Sequence, residues 1–247
     1  MSRQQNPIRK TEIHPVLHCS VEDQRRLLGE APYFQSLSPV QIEAVQKQFS
    51  QKHYAAGSPI YTVGEPAKRL AIVAAGSVKV QRPTPDGKDV LLDLLVPGDH
   101  FGSLVELGDA VYPDTAIAHT ECCILSTTSS EFSQMLSQYP TVAIDSLSIV
   151  ASRLRQAQST IEQLSAYPVE QRIARTLTHL AEKVGVERDN ATLVDIPLSR
   201  QDLADMAGTT VETASRVMSE FKRDGIINSG RMWISVIDTE ALLDRAN

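Results

Sequence analysis

Residues 198–227 read LSRQDLADMAGTTVETASRVMSEFKRDGII, and the architecture of the C-terminal part of the chain turns on them. Ser199 stands where a helix N-cap belongs, with Asp202 three positions on and apolar Leu203, Ala204, Met206 and Ala207 behind it. Gly208 permits a sharp turn into a second helix over 210–223. On that helix Ala214, Val217, Met218 and Phe221 fall at i, i+3, i+4 and i+7, a core-facing stripe. Glu212, Ser215, Arg216, Ser219 and Arg223 lie on the opposite side. Two short helices joined by a tight turn with glycine are a helix-turn-helix. Asp224 and Gly225 end the second helix, and IINSGRMWISVI (226–237) reads as a small hairpin, a wing.

That exposed side has the chemistry of a major-groove reader. Arg216 can pair bidentately with guanine O6 and N7, Glu212 can accept from cytosine N4, and Ser215 or Val211 can meet a thymine. The candidate DNA contacts are Ser199, Arg200, Thr209, Thr210, Val211, Glu212, Ser215, Arg216, Arg223 and Arg231. The competing reading is an effector-binding regulatory module whose winged helix contacts protein.

The bulk numbers set limits. The chain has 247 residues, enough for one large or two ordinary domains, and a formal net charge of −6. Proteins that neutralise phosphates are usually basic, so DNA binding must come from a local patch. Three cysteines, an odd number, argue against a disulfide framework. With no signal peptide and no apolar run long enough to cross a bilayer, the expected compartment is the cytoplasm, with no membrane partner. The enzyme motifs G-x-S-x-G and H-E-x-x-H and a phosphate-cradling glycine loop are all missing, so no enzyme is expected.

Working towards the N-terminus, Leu147, Val150, Leu154, Ala157, Ile161 and Leu164 are spaced 3, 4, 3, 4, 3. This is an a/d seam on a helix over 141–166, and it predicts a parallel two-fold homodimer. Residues 57–126 alternate short apolar or β-branched runs with turn glycines, as in a sandwich or barrel. Asp86–Gly87 is expected to turn a hairpin, and TAIAHT with ECCILST to form a closing strand pair. Residues 20–56 read as helical, with caps at Ser20 and Ser38. The expected organisation is therefore an extension over 1–29 that can form part of the sensor, a β-roll over 30–140, a dimerisation helix over 141–166 and a winged helix-turn-helix over 167–247.

Taken together, these features resemble the Crp/Fnr superfamily of bacterial transcription regulators, over residues from about 30 to 240. The motif at 198–227 carries the resemblance, and VETASR is similar to the Fnr-branch pattern E-x-x-S-R. The resemblance implies an α+β fold: a cyclic-nucleotide-binding-type β-roll (jelly roll), a long dimerisation helix and a C-terminal winged helix-turn-helix. It also implies a palindromic operator with TTGAT-like half-sites, double-stranded DNA and RNA polymerase as partners, and a sensor whose state controls dimer geometry.

The effector is tested residue by residue. Cyclic-nucleotide-binding members carry a Gly-Glu pair ahead of an Arg-Ser/Thr-Ala segment. Here Gly102 is followed by Ser103, and Pro113–Asp114 precede Thr115–Ala116, so cyclic AMP is not expected. Iron–sulfur members use four cysteines. This chain offers Cys19, Cys122 and Cys123, with His14 and His18 nearby, and Cys122 and Cys123 should face opposite ways along a strand. A haem held by one of His14, His18, His53, His100 and His119 or by a cysteine, a redox-switching thiol, and an organic ligand in the β-roll stay open beside the cluster.

Overall fold

The computed structural model describes residues 19–84, 87, 89–104, 108 and 110–247. His14, His18 and Asp86 lie outside them. The described residues fall into two compact units that part between Gln156 and Ala157.

The first unit opens with two capped helices, α1 (Val21–Glu30) and α2 (Pro39–Gln46). Ser20 Oγ accepts from Asp23 N at 3.1 Å, and Asp23 returns the bond to the Ser20 amide. Ser38 and Gln41 repeat the device, with Pro39 in the first turn, where its missing N–H costs nothing. The expectation of helix throughout 20–56 fails at SQKHY: Ser50–Tyr54 is strand β1. That segment has no apolar stripe at helical spacing, and its backbone pairs with a strand more than sixty residues on, from Ser50↔Ser126 to Tyr54↔Cys122.

Seven more strands follow: β2 (Pro59–Tyr61), β3 (Lys68–Ala75), β4 (Val78–Pro83), β5 (Asp89–Leu95), β6 (His100–Leu104), β7 (Thr115–Ala118) and β8 (Cys122–Thr128). They make two antiparallel four-stranded sheets, ordered β1-β8-β3-β6 and β2-β7-β4-β5. This is the β-roll. Strand β3 shows how it is held. Side chains alternate across a strand, so Leu70 and Ile72 join Phe34, Phe132 and Met135 under the helices. Ala71 and Val73 face the other way, into an inter-sheet core with Val80, Phe101 and Ile124. The hairpin expected around 86–87 joins β4 to β5, with Pro83 opposite Asp89 and Gly87 in the left-handed region at φ 78°.

The stretches TAIAHT and ECCILST are both strands, but not a pair. β7 lies between β2 and β4, and β8 between β1 and β3. The chain changes sheets at 119–121, over the corner where β3 gives way to β4. There Ser77 O accepts from His119 N at 2.9 Å, and a Cβ on Gly76 (φ 78°) would collide with the Glu121 carbonyl oxygen. Only glycine fits that crossing.

Helix α3 (Ser129–Gln138), which the sequence reading did not assign, is capped by Thr128 with Glu131. Helix α4 (Pro140–Ala166) follows. Its inner side near the start carries Val142, Ile149 and Asp145, whose carboxylate accepts from Ser36 Oγ at 2.8 Å. Leu147, Val150, Leu154, Ala157, Ile161 and Leu164 are all exposed in the single chain.

The second unit contains α5 (Val169–Val184), β9 (Gly185–Arg188), β10 (Ala191–Val194), α6 (Arg200–Met206), α7 (Val211–Arg223), β11 (Ile227–Gly230), β12 (Trp233–Val236) and α8 (Thr239–Ala246). The strands form one antiparallel sheet, β11-β12-β10-β9, so the wing continues a hairpin that precedes the helix-turn-helix. Among the described residues no helix is long and apolar enough to cross a membrane.

Candidate nucleic-acid interface

The helix-turn-helix is fixed by local chemistry at each joint. Ser199 Oγ accepts from Asp202 N at 3.1 Å, while Asp202 Oδ2 accepts from Ser199 N at 2.9 Å. Past the end of α6, Gly208 turns the chain with a φ of 59°, and Thr209 N returns to Ala204 O at 2.9 Å. Thr210 caps α7 by accepting from Thr213 N at 3.2 Å. The stripe of Ala214, Val217, Met218 and Phe221 is buried, and this seats α7 with its other side outward.

On that outward side Val211, Glu212, Arg216 and Arg223 are placed with Ser215; Val211, Glu212 and Arg223 are exposed, and Ser215 is half-buried. Glu212 and Arg216 are one helical turn apart and so lie side by side. Arg231 is exposed at the wing tip, next to Met232 in the left-handed region at φ 64°. Ser199 and Thr210 spend their hydroxyls on caps, and Thr209 lies half-buried in the turn.

Arg200 differs from the other candidates. It is half-buried and donates from Nη2 to Ser229 Oγ at 2.9 Å, tying the start of α6 to wing strand β11. Burial lowers the pKa of its guanidinium from the ordinary value. Two residues outside the sequence reading complete the frame. Lys222 Nζ donates to Ser229 O at 2.8 Å, a second tie between α7 and the wing. Arg172 donates to Leu164 O at 3.2 Å and to Gly208 O at 3.3 Å, joining the last turn of α4 to the helix-turn-helix corner. Leu164, expected in the dimer seam, also has an intrachain neighbour: its Cδ2 occupies the space that a Cβ on Gly208 would need.

Two family models match. Residues 171–245 match the Crp-like helix-turn-helix domain, and residues 51–139 match the cyclic nucleotide-binding domain. The chain belongs to the Crp/Fnr superfamily of transcription regulators.

A relative from Mycobacterium tuberculosis, a CRP-like cAMP-activated global transcriptional regulator, is 29% identical over 220 residues, 89% of this chain and 98% of its own. The transcriptional activator protein FnrL of Cereibacter sphaeroides is 27% identical over 200 residues, 79% of each chain. Among solved structures, FixK2 from Bradyrhizobium japonicum shares the fold with a TM-score of 0.71 at 24% identity, covering 81% of this chain and 98% of its own. A CRP-family transcriptional regulator from Thermus thermophilus superposes with a TM-score of 0.67 at 26% identity, covering 79% of this chain and 96% of its own.

Ser103 is buried, and Asp114 accepts from Tyr61 Oη at 2.9 Å. Tyr61 stacks on Tyr112 at 3.9 Å between ring centroids, and the Tyr112 hydroxyl accepts from Arg69 N at 3.0 Å. Burial and the Asp114 carboxylate both push the Tyr61 phenol upward, so it stays a donor. A cation borders this segment: Arg82 on β4 donates from Nε to Pro113 O at 2.9 Å.

The cysteines separate as the strand pleat dictates. Cys122 faces the inter-sheet core and Cys123 the opposite face of β8. Cys19 packs against Cys123. Among the described residues no group of three or more His, Cys, Asp and Glu comes together that could hold a metal ion, and the candidates His14 and His18 lie outside them. His100 is held neutral, its pKa pushed down to about 4 by burial and the neighbouring Arg153. Its Nε2 is shut off from solvent without a hydrogen-bond partner, and its ring packs edge-on against Tyr33 at 4.9 Å.

Proposed function

We propose that this Crp/Fnr regulator acts as a homodimer that reads a palindromic DNA site with TTGAT-like half-sites. The observation that carries the reading is the outward side of α7, where Glu212, Ser215 and Arg216, with Val211 beside them, project from a helix whose other side is wholly buried. Arg216 reads guanine, Glu212 accepts from cytosine, and Ser215 and Val211 meet thymine. Arg223 and Arg231 contact phosphates, which gives an acidic molecule its local basic patch. Arg200 acts by positioning the wing.

The exposed apolar stripe of α4 supports the dimer, since Leu147, Val150, Leu154 and Ile161 are too many large apolar side chains to leave in water on one line. A two-fold dimer sets its recognition helices one DNA turn apart, about 34–36 Å. The controlling signal is one other than cyclic AMP, the ligand for which the mycobacterial relative is named. Ser103 cannot hold a ribose hydroxyl pair as a carboxylate does, and Asp114, bonded to Tyr61, adds an anion in the segment where the cyclic-nucleotide-binding members carry their arginine. By family resemblance the protein works in the cytoplasm with RNA polymerase.

Sedimentation of the protein with a duplex that carries two inverted TTGAT half-sites tests this reading. Two chains per duplex, and displacement by excess specific duplex but not by a scrambled one, are expected. One chain per duplex, or equal displacement by both, would overturn it. Failure to bind any duplex would favour a winged helix that contacts protein.

A further inference from the structure

Cys19 and Cys123 meet although they lie 104 positions apart in sequence. Cys123 is buried in the central strand β8, on the face shared with Leu27, Ala74 and Leu125, and half-buried Cys19 packs onto that cluster. The two thiols are close enough that each shifts the other's titration. The meeting is held from behind. Gln24 Nε2 donates to Cys19 O at 3.2 Å and to Gln51 Oε1 at 2.8 Å, and Gln46 donates to Gln24 Oε1 at 2.8 Å. Cys122 faces away, so β8 presents one sulfur to Cys19.

We propose that Cys19 and Cys123 are a modification site, joined in a reversible intramolecular disulfide by an oxidant of the peroxide or small-molecule disulfide class. The inference rests on the first unit alone and does not depend on how α7 reads DNA. Cys19 sits just before the Ser20 cap, in neither helix nor strand, so its backbone can adjust to the narrow torsional demands of a disulfide while Cys123 stays in its ladder.

With hydrogen peroxide, Cys19, the more exposed thiol, attacks first. An S–O bond forms, the O–O bond breaks, and the departing hydroxide takes the Cys19 proton as water. The Cys123 sulfur then attacks the Cys19 sulfenic acid. The S–S bond forms, the S–O bond breaks, and the second hydroxide leaves as water with the Cys123 proton. Two thiols are oxidised and one peroxide is reduced to two waters. With a small disulfide the first product is a mixed disulfide at Cys19, which Cys123 resolves, and the two thiols of the oxidant are released.

Burial raises both thiols, Cys123 to about 12, so little thiolate is present at neutral pH and the reaction accelerates as pH rises. The product ties the residue that precedes α1 to the middle of the β-roll.

The test uses the full chain, folded and freed of reductant, exposed to hydrogen peroxide or to oxidised glutathione, then alkylated and peptide-mapped. The expected result is a linked Cys19–Cys123 peptide, loss of two hydrogens from the intact mass, reversal by dithiothreitol, and Cys122 alkylated only after unfolding. Between pH 7 and 8 the peroxide rate should rise about tenfold, following the thiolate fraction. Cys122→Ser should still form the link, and Cys19→Ser should not. A link through Cys122, a link between chains, over-oxidation without a link, or no loss of thiol would each overturn the proposal.

Discussion

Arg200 Nη2 lies 2.9 Å from Ser229 Oγ, and the bond joins the first turn of α6 to the wing strand. A half-buried guanidinium in such a bond is a brace. Arg200→Ala should lower unfolding free energy by about 1.5–3 kcal/mol, the range for a hydrogen bond to a charged group. It should weaken binding to all duplexes alike by loosening the wing. Chemical denaturation and binding to matched and scrambled duplexes measure the two effects. A change in base preference without loss of stability would assign Arg200 to readout instead.

Gly208 is held at φ 59°, and a Cβ there would press on Leu164. Gly208→Ala should cost about 1–2 kcal/mol for the left-handed backbone alone, with the contact adding to it. Thermal unfolding reads the loss, and an unchanged midpoint would mean that the turn relaxes freely.

Leu154 is exposed in the middle of the apolar stripe of α4. Leu154→Glu should give monomers in sedimentation at concentrations where the parent is dimeric, because opposed carboxylates would be buried across the seam. Dimers of normal stability would remove the seam from the proposal.

His100 supplies the pH dependence. Its folded pKa of about 4 lies below the unfolded value of 6.5, so the unfolded chain binds the proton more readily. Its contribution to stability is complete above pH 6.5 and is lost as pH falls towards 4, on the order of 3 kcal/mol in all. His100→Gln should flatten the stability curve over that window. A curve as steep as the parent's would place the acid sensitivity elsewhere.

The helix-turn-helix was legible because its determinants are local. The Ser199–Asp202 box, the Gly208 turn and the buried stripe of α7 all lie within a few residues of what they control. Strand β1 was not, because SQKHY becomes a strand only through pairing with β8. The same distance effect hid the brace role of Arg200, whose partner lies 29 residues away, and the Tyr61–Asp114 bond across 53. Helix α3 did carry a local sign, Thr128 with Glu131, just past the stretch read as the last strand. The likeness of β7 and β8 to a hairpin misled because the corner that separates them is set by Gly76 on another connection.

The most direct measurement is a cycle between Arg216→Ala and a base-pair change, with affinities at fixed salt for the TTGAT palindrome and for duplexes altered at the guanine of each half-site. The expected result is that the parent loses about 1–3 kcal/mol per altered half-site and that Arg216→Ala no longer distinguishes the duplexes at that position. If the variant and the parent discriminate equally, Arg216 does not read the base, and the recognition face assigned to α7 is contradicted.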